Sequence, residues 1–271
     1  MEDADGAFFL DTSTQISKTW EDEKIKNHIN KELSKKSCYS SEYVKNEYKL
    51  KLLKEAILVH RVIVDSSDLD QAQSRLDDIM KRMNRKPDEL PYKVFRRYFN
   101  QYKSKKPFLT TLEKIIESAW QNFFIGNIKK NLFNLIGCKA AEDDPCKNKG
   151  NYYLPIDRKC SDCKINEFLE SQKNALTTLS KINDTKYDRI NDPKGTLQKI
   201  KSASISVLEG KSPLGKLCKE MSDAVISLEA KACCPEIILH SMDSDFKLVG
   251  EILGIPTCVH SKHKILKDLK S

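Results

Sequence analysis

Three acidic residues stand where short apolar runs end or are about to begin. Asp11 follows Ala7-Phe8-Phe9-Leu10, and Asp243 follows Ile237-Ile238-Leu239-His240 by way of Ser241 and Met242. Asp223 heads a helix-like stretch that feeds the second of these runs. Apolar runs this short suit buried strands, and in an open α/β sheet ligands bind beyond the carboxyl ends of the strands. If the two runs are neighbours in one parallel sheet, the three carboxylates converge on one crevice. Asp is also a frequent helix N-cap, and Asp11 and Asp223 taken singly fit that role as well. A second constellation is made of thiols: Cys138, Cys146, Cys160 and Cys163, the last two forming a CxxC pair. Four thiolates close a tetrahedral structural zinc site. The gap of seven residues between Cys138 and Cys146 is wide for such a site, so unrelated thiols are the alternative.

A third constellation is basic. Residues 81–106 hold Lys81, Arg82, Arg85, Lys86, Lys93, Arg96, Arg97, Lys103, Lys105 and Lys106 against Asp88 and Glu89, with Tyr92, Phe95, Tyr98, Phe99 and Tyr102 interleaved. Cations neutralise phosphates and aromatic faces stack on unpaired bases. The same spacing also lets the aromatics pack inward while the cations face water. Arg82, Arg85, Lys86, Lys93, Arg96, Arg97 and Lys103 are the candidate nucleic-acid contacts. There is no GxxxxGK[ST] loop, GxGxxG or HExxH, and the five histidines read as isolated. Cys38, Cys218 and Cys258 read as small buried hydrophobes, and Cys233 and Cys234 as thiols beside a strand.

The elements that must position these residues fall into three zones. Residues 6–60 read as a strand at 7–10, a helical stretch to about Lys35, a brief strand at Cys38-Tyr39, and a helix opened by Ser40-Ser41-Glu42. Residues 65–205 read as mostly helical, with a loop-like stretch from Gly137 to Cys163. Residues 206–263 return to α/β: a helix over 222–231, the strand before Ser241, a helix to Leu253 with Gly254 in the C-cap role, and a strand at 255–259. With 271 residues, 39% hydrophobic and 32% charged, the chain is long enough to bury a core and too hydrophobic to be disordered. Mean hydropathy is −0.55 and no apolar run matches a bilayer. The acidic start, Met1-Glu2-Asp3-Ala4-Asp5, is wrong for a secretory leader, so a cytoplasmic protein without membrane contact is expected. A net charge of +8 makes nucleic acid a plausible partner class.

Four segments together resemble the PIN-domain nucleases, the family that includes VapC-type toxins. Phe8-Phe9-Leu10-Asp11-Thr12-Ser13 looks like the family's first motif. Ser40-Ser41-Glu42-Tyr43-Val44-Lys45-Asn46-Glu47-Tyr48 resembles the second, a serine at a strand end and then a helix carrying an acid. Ser222-Asp223-Ala224-Val225-Ile226 resembles the third, and Ser241-Met242-Asp243-Ser244-Asp245-Phe246 the fourth, with Ser241 where threonine is usual. Leu253-Gly254-Ile255-Pro256 matches the family's last helix-to-strand turn. The resemblance implies an α/β fold, a PIN-like parallel sheet flanked by helices, made of 6–60 and 206–263. Glu47 and Asp223 are 176 residues apart, which we read as a mostly helical insertion, 65–205; loops tolerate such lengths at modest entropic cost.

The resemblance further implies a metal-dependent endoribonuclease, toxin- or defence-related, leaving 5′-phosphate and 3′-hydroxyl ends. Asp11, Glu47, Asp223 and Asp243 would be the catalytic and metal-binding acids for Mg²⁺ or Mn²⁺, with Asp245 a fifth metal ligand. Thr12 and Ser241 would support them by hydrogen bonding, and Glu42 is the alternative to Glu47. Clustered carboxylates repel one another unless a hard cation lies between them. RNA is the expected partner, together with an inhibitor or antitoxin protein and a second copy of the chain. A PIN-type DNA nuclease and a non-catalytic nucleic-acid-binding module are the competing readings.

Overall fold

The computed structural model describes residues 6–84, 89–99, 101–141, 143–155, 163–182, 195–211, 214–234 and 236–268. The chain divides into two compact units. The first comprises 1–46, 124–140 and 157–271, and the second comprises 47–123 and 141–156. In chain order the elements are β1 (Phe8–Leu10), α1 (Thr12–Trp20), α2 (Glu23–Leu33), β2 (Cys38–Tyr39), α3 (Glu42–Val64), α4 (Leu69–Arg82), α5 (Leu90–Phe99) and α6 (Lys105–Asn122). There follow β3 (Cys146–Asn148), β4 (Asn151–Tyr153), α7 (Ile165–Ser171), α8 (Lys173–Ser180), α9 (Thr196–Leu208) and α10 (Leu214–Glu220). The chain closes with α11 (Ser222–Cys233), β5 (Ile238–Ser241), α12 (Asp245–Leu253), β6 (Thr257–Val259) and α13 (Lys262–Asp268). Among the described residues no helix is long and apolar enough to cross a membrane.

The first unit is an α/β layer structure around a parallel sheet of order β2-β1-β5-β6. Phe8, Phe9 and Leu10 are all buried, as expected of a central parallel strand covered on both faces. Beyond β2 the edge is continued by residues 127–133. Cys38 and Ser41 form parallel bridges to Ile128 and Phe133, and the Glu42 amide donates to the Phe133 carbonyl at 2.8 Å. These bonds draw 124–140 into the sheet unit, and α8 and α9 join it by packing on α12. The division therefore departs from a 6–60 plus 206–263 core with a 65–205 insertion: 124–140 and 157–205 group with the sheet, and α3 beyond Asn46 groups with the other unit.

Two local expectations are corrected. The helical stretch to Lys35 breaks at Glu21, which is extended (φ −80°, ψ 177°); a second helix then starts behind Asp22 with Glu23 in its first turn, where the helix dipole favours acids. The stretch from Gly137 to Cys163 is not wholly irregular, because β3 and β4 form an antiparallel hairpin in the second unit. Lys149 (φ 49°) and Gly150 (φ 82°) supply the two left-handed residues that such a tight turn needs.

In the second unit α4, α5 and α6 bury their apolar faces. Phe95 stacks on Phe99 (5.2 Å) and packs at 5.7 Å from Phe108, which also stacks with Tyr102 at 5.8 Å. Phe95 and Phe108 are buried, and Phe99 and Tyr102 are half-buried beside them.

Candidate functional site

The order β2-β1-β5-β6 sends the chain first to one side of β1 and later to the other. The topological switch point thus lies between β1 and β5, and ligands bind outside the carboxyl ends of strands at such a point. Asp11 leaves the end of β1 and Ser241-Met242-Asp243 leaves the end of β5. Paired register, with Leu10 opposite His240, brings those two ends level.

Asp11 is 1% exposed. One carboxylate oxygen, Oδ1, accepts the Thr14 amide at 2.8 Å and so caps α1. The other, Oδ2, accepts the hydroxyls of Ser13 at 2.6 Å and Ser241 at 2.9 Å. Asp11 is therefore a helix cap whose second carboxylate oxygen is gathered by two hydroxyls. Burial pushes its carboxyl up despite the hydrogen bonds from Ser13, Thr14 and Ser241 that hold it down. Ser241 Oγ also accepts the Asp243 amide at 2.9 Å, and Asp243 Oδ1 accepts the Asp245 amide at 3.2 Å. Ser13 Oγ reaches further, accepting the Met242 amide at 2.9 Å. One hydroxyl-rich turn thus joins Asp11, Asp243 and Asp245. The buried Asp245 is held by the Thr196 hydroxyl at 2.9 Å, at the start of α9.

Asp223 sits in the first turn of α11, where Met221 is the N-cap, so a capping role does not explain it. α11 packs on β5 and α12. A helix that turns back directly into a parallel strand starts at the carboxyl edge of the sheet, which is where Asp11 and Asp243 lie. Thr12 is the buried first residue of α1, and the hydroxyls of Ser13 and Ser241 reach Asp11. Glu42 is in the first turn of α3 and 3.3 Å from Lys45, while Glu47 belongs to the second unit and lies 2.9 Å from Lys51.

Two buried groups give no sequence signal of their own. Ser41, which caps α3 through the Val44 amide, donates to Glu229 Oε2 at 2.5 Å. Burial pushes the Glu229 carboxyl up to about 8, so it is neutral at pH 7. The other group corrects the reading of the histidines as isolated and of Cys258 as a plain hydrophobe. Glu32, His240, Cys258 and His260 bring one donor atom each within 4.8 Å of one another. Pairing of β5 with β6 juxtaposes residues that no linear spacing connects.

Cys160 lies outside the described residues, Cys146 is exposed in the second unit, and Cys138 and Cys163 are in the first. A hydrogen bond from Cys218 lowers the Cys163 thiol to about 6. Of the basic candidates, Arg82, Arg96 and Lys103 are exposed and Lys93 is half-buried. Arg85 and Lys86, and the side chain of Arg97, lie outside the described residues. No family model, curated protein or solved structure matches the chain.

Proposed function

We propose that the protein is a metal-dependent endoribonuclease with a PIN-like core, hydrolysing RNA phosphodiester bonds at the crevice between β1 and β5. The observation that carries this reading is the hydrogen-bonded turn that fixes Asp11 and Asp243 together at the switch point of a parallel sheet. The donor set fits Mg²⁺ or Mn²⁺: it consists of carboxylate oxygens, and a buried Asp11 whose carboxyl burial pushes up is a group that a neighbouring cation would stabilise in its charged form. Asp11, Asp223 and Asp243 would hold the ion, with Asp245 beside them. When bound, such an ion supplies charge neutralisation on the phosphate and lowers the pKa of a water.

The residues of the chain do the positioning. Thr14 and the Ser13 and Ser241 hydroxyls lock the Asp11 carboxylate in one orientation, so little reorganisation is needed when substrate arrives. The Asp243 side chain is restrained by the Asp245 amide, and Asp245 by Thr196. The exposed Arg82, Arg96 and Lys103 would contact phosphates without reading sequence.

The test is cleavage of 5′-labelled single-stranded RNA and matched DNA with Mn²⁺ or EDTA, comparing wild type with Asp11→Asn and Asp243→Asn. Metal-dependent RNA cuts reduced by about 100-fold or more in both variants are expected. Cutting that survives Asp11→Asn overturns the site. No cutting of either polymer, with RNA still bound, would make the protein a binding module, and preferential DNA cutting would make it a DNA nuclease.

A further inference from the structure

We propose that Glu32, His240, Cys258 and His260 form a tetrahedral zinc site that fastens α2 to the β5–β6 edge of the sheet. This site uses none of Asp11, Asp223, Asp243 and Asp245 and does not depend on the nuclease reading.

The placement follows from strand pairing. His240 and Cys258 are direct cross-strand partners in the parallel β5–β6 ladder, so their side chains leave the same face. His260 is two residues beyond Cys258 and shares that face; its amide continues the ladder by donating to the Ser241 carbonyl at 3.0 Å. Glu32, in the last turn of α2, comes over the same face.

The distances suit zinc. His260 Nε2 is 3.1 Å from Glu32 Oε2 and 3.2 Å from Cys258 Sγ. Glu32 lies 3.7 Å from His240 Nε2 through Oε2 and 3.7 Å from Cys258 Sγ through Oε1. A tetrahedron with zinc–ligand bonds of about 2.0–2.3 Å has ligand–ligand edges of about 3.3–3.7 Å. These four contacts, one of them through the second Glu32 oxygen, lie near those edges, and all four residues bring a donor atom within 4.8 Å of one another, so small side-chain shifts close the tetrahedron.

A second observation points independently to a ligand. His240 is 0% exposed, and its Nε2 has no hydrogen-bond partner. The Thr14 hydroxyl lies 3.0 Å from both the His240 carbonyl and His240 Nδ1. A hydroxyl has a single proton, so both contacts are hydrogen bonds only if Nδ1–H donates to Thr14 while Thr14 donates to the carbonyl. In the neutral ring Nε2 is then the bare nitrogen, its lone pair directed toward Glu32 Oε2 at 3.7 Å. Leaving such an acceptor unsatisfied in the interior is destabilising, and a metal bond removes that penalty. An ion pair between Glu32 and His260 alone would leave it in place.

The donors choose the metal. Thiolate and two imidazoles with one carboxylate suit Zn²⁺ and disfavour Mg²⁺ or Mn²⁺, which prefer oxygen. Four protein ligands close the shell, which marks a structural site rather than one that activates water. Its outer shell leads to Asp11: His240 Nδ1 meets Thr14, whose amide holds Asp11 Oδ1 at 2.8 Å. Metal-bound His240 would thus fix the first turn of α1 and the carboxylate above it.

The experiment is metal analysis of the purified full chain, with competition titration by a chromophoric zinc chelator and absorption spectra after Co²⁺ substitution. The variants are Cys258→Ser, Thr14→Val and the double variant Cys138→Ser/Cys163→Ser. One zinc per chain is expected, with a cobalt spectrum showing tetrahedral d–d bands and thiolate charge transfer. Cys258→Ser should abolish the charge transfer and weaken zinc by about 100-fold or more, whereas Thr14→Val should weaken it by about 10-fold as an outer-shell change. The double variant should bind as wild type does. Absence of zinc binding to wild type at micromolar metal overturns the proposal, as does affinity unchanged by Cys258→Ser or lost in the double variant. If Cys258→Ser does not fold, the double variant decides: a charge-transfer band kept there supports the site, and a band lost there overturns it. None of these readouts requires RNA cleavage.

Discussion

Asp11 shows how one side chain can meet two demands that pull its energetics apart. Its Oδ1 caps α1 while its Oδ2 gathers the Ser13 and Ser241 hydroxyls, yet burial still pushes the carboxyl up. Asp11→Asn keeps an acceptor for the Thr14 amide and removes a buried charge. Urea unfolding should therefore show it within about 0.5 kcal/mol of wild type or more stable, while Asp11→Ala should cost about 1–2 kcal/mol through loss of the cap. Glu229 gives a pH signature. In the unfolded chain it loses its proton near the ordinary carboxyl value of 4.5, whereas burial in the folded protein holds the proton up to about 8. Between those pH values the native state binds more protons, so the contribution of this group to stability falls as pH rises, with a slope of up to about 1.4 kcal/mol per pH unit. Glu229→Gln should flatten that part of the pH profile of the unfolding midpoint; an unchanged profile would show that Glu229 titrates normally. Asp11 and Asp243 were legible from local pattern, because an apolar run ending in an acid is a sequence event. Glu229 was not: an acid in a helix looks solvated until the packing around α11 is known.

At the scale of elements, α12 and β6 depend on two glycines for opposite reasons. Gly254 takes a left-handed conformation (φ 64°) that ends α12, as its position after Leu253 predicts. Gly254→Ala should destabilise the protein by about 1 kcal/mol through backbone strain alone, since nothing crowds a Cβ there. Gly250 lies inside the helix, where alanine is ordinarily favoured by about 1 kcal/mol. A Cβ there would come within 2.3 Å of Thr257 Cγ2 and 3.0 Å of the Ile255 carbonyl oxygen. Overpacking of about 1–3 kcal/mol exceeds the propensity gain, so Gly250→Ala should lower the thermal midpoint, and an increase would show that β6 shifts freely. The C-cap could be read from sequence because it is local. The close approach of α12 to β6 could not, and neither could the β3–β4 hairpin, whose turn dihedrals at Lys149 and Gly150 carry no apolar alternation beside them.

At the scale of the whole molecule, the excess of positive charge is concentrated in sequence rather than spread along it. If Arg82 and Arg96 contact phosphates, Arg82→Ala/Arg96→Ala should weaken single-stranded RNA binding at low salt. It should also reduce the slope of log affinity against log salt by about 1.4, two contacts at about 0.7 each. A changed affinity with an unchanged slope would assign those residues a structural role. The sequence by itself determined the α/β class, the strands at both ends of the chain, the acids that follow them and the amphipathic helices between. Each of these is a short-range consequence of side-chain period, caps and strand-end chemistry. Only the tertiary structure decided that residues 127–133 continue the sheet edge, that the chain divides at 46–47, and that Glu32 meets His240, Cys258 and His260. The physical reason is that parallel pairing joins segments through long crossovers whose length is not fixed. The register that sets His240 beside Cys258 is chosen by the packing of whole elements, and no spacing in the chain records it.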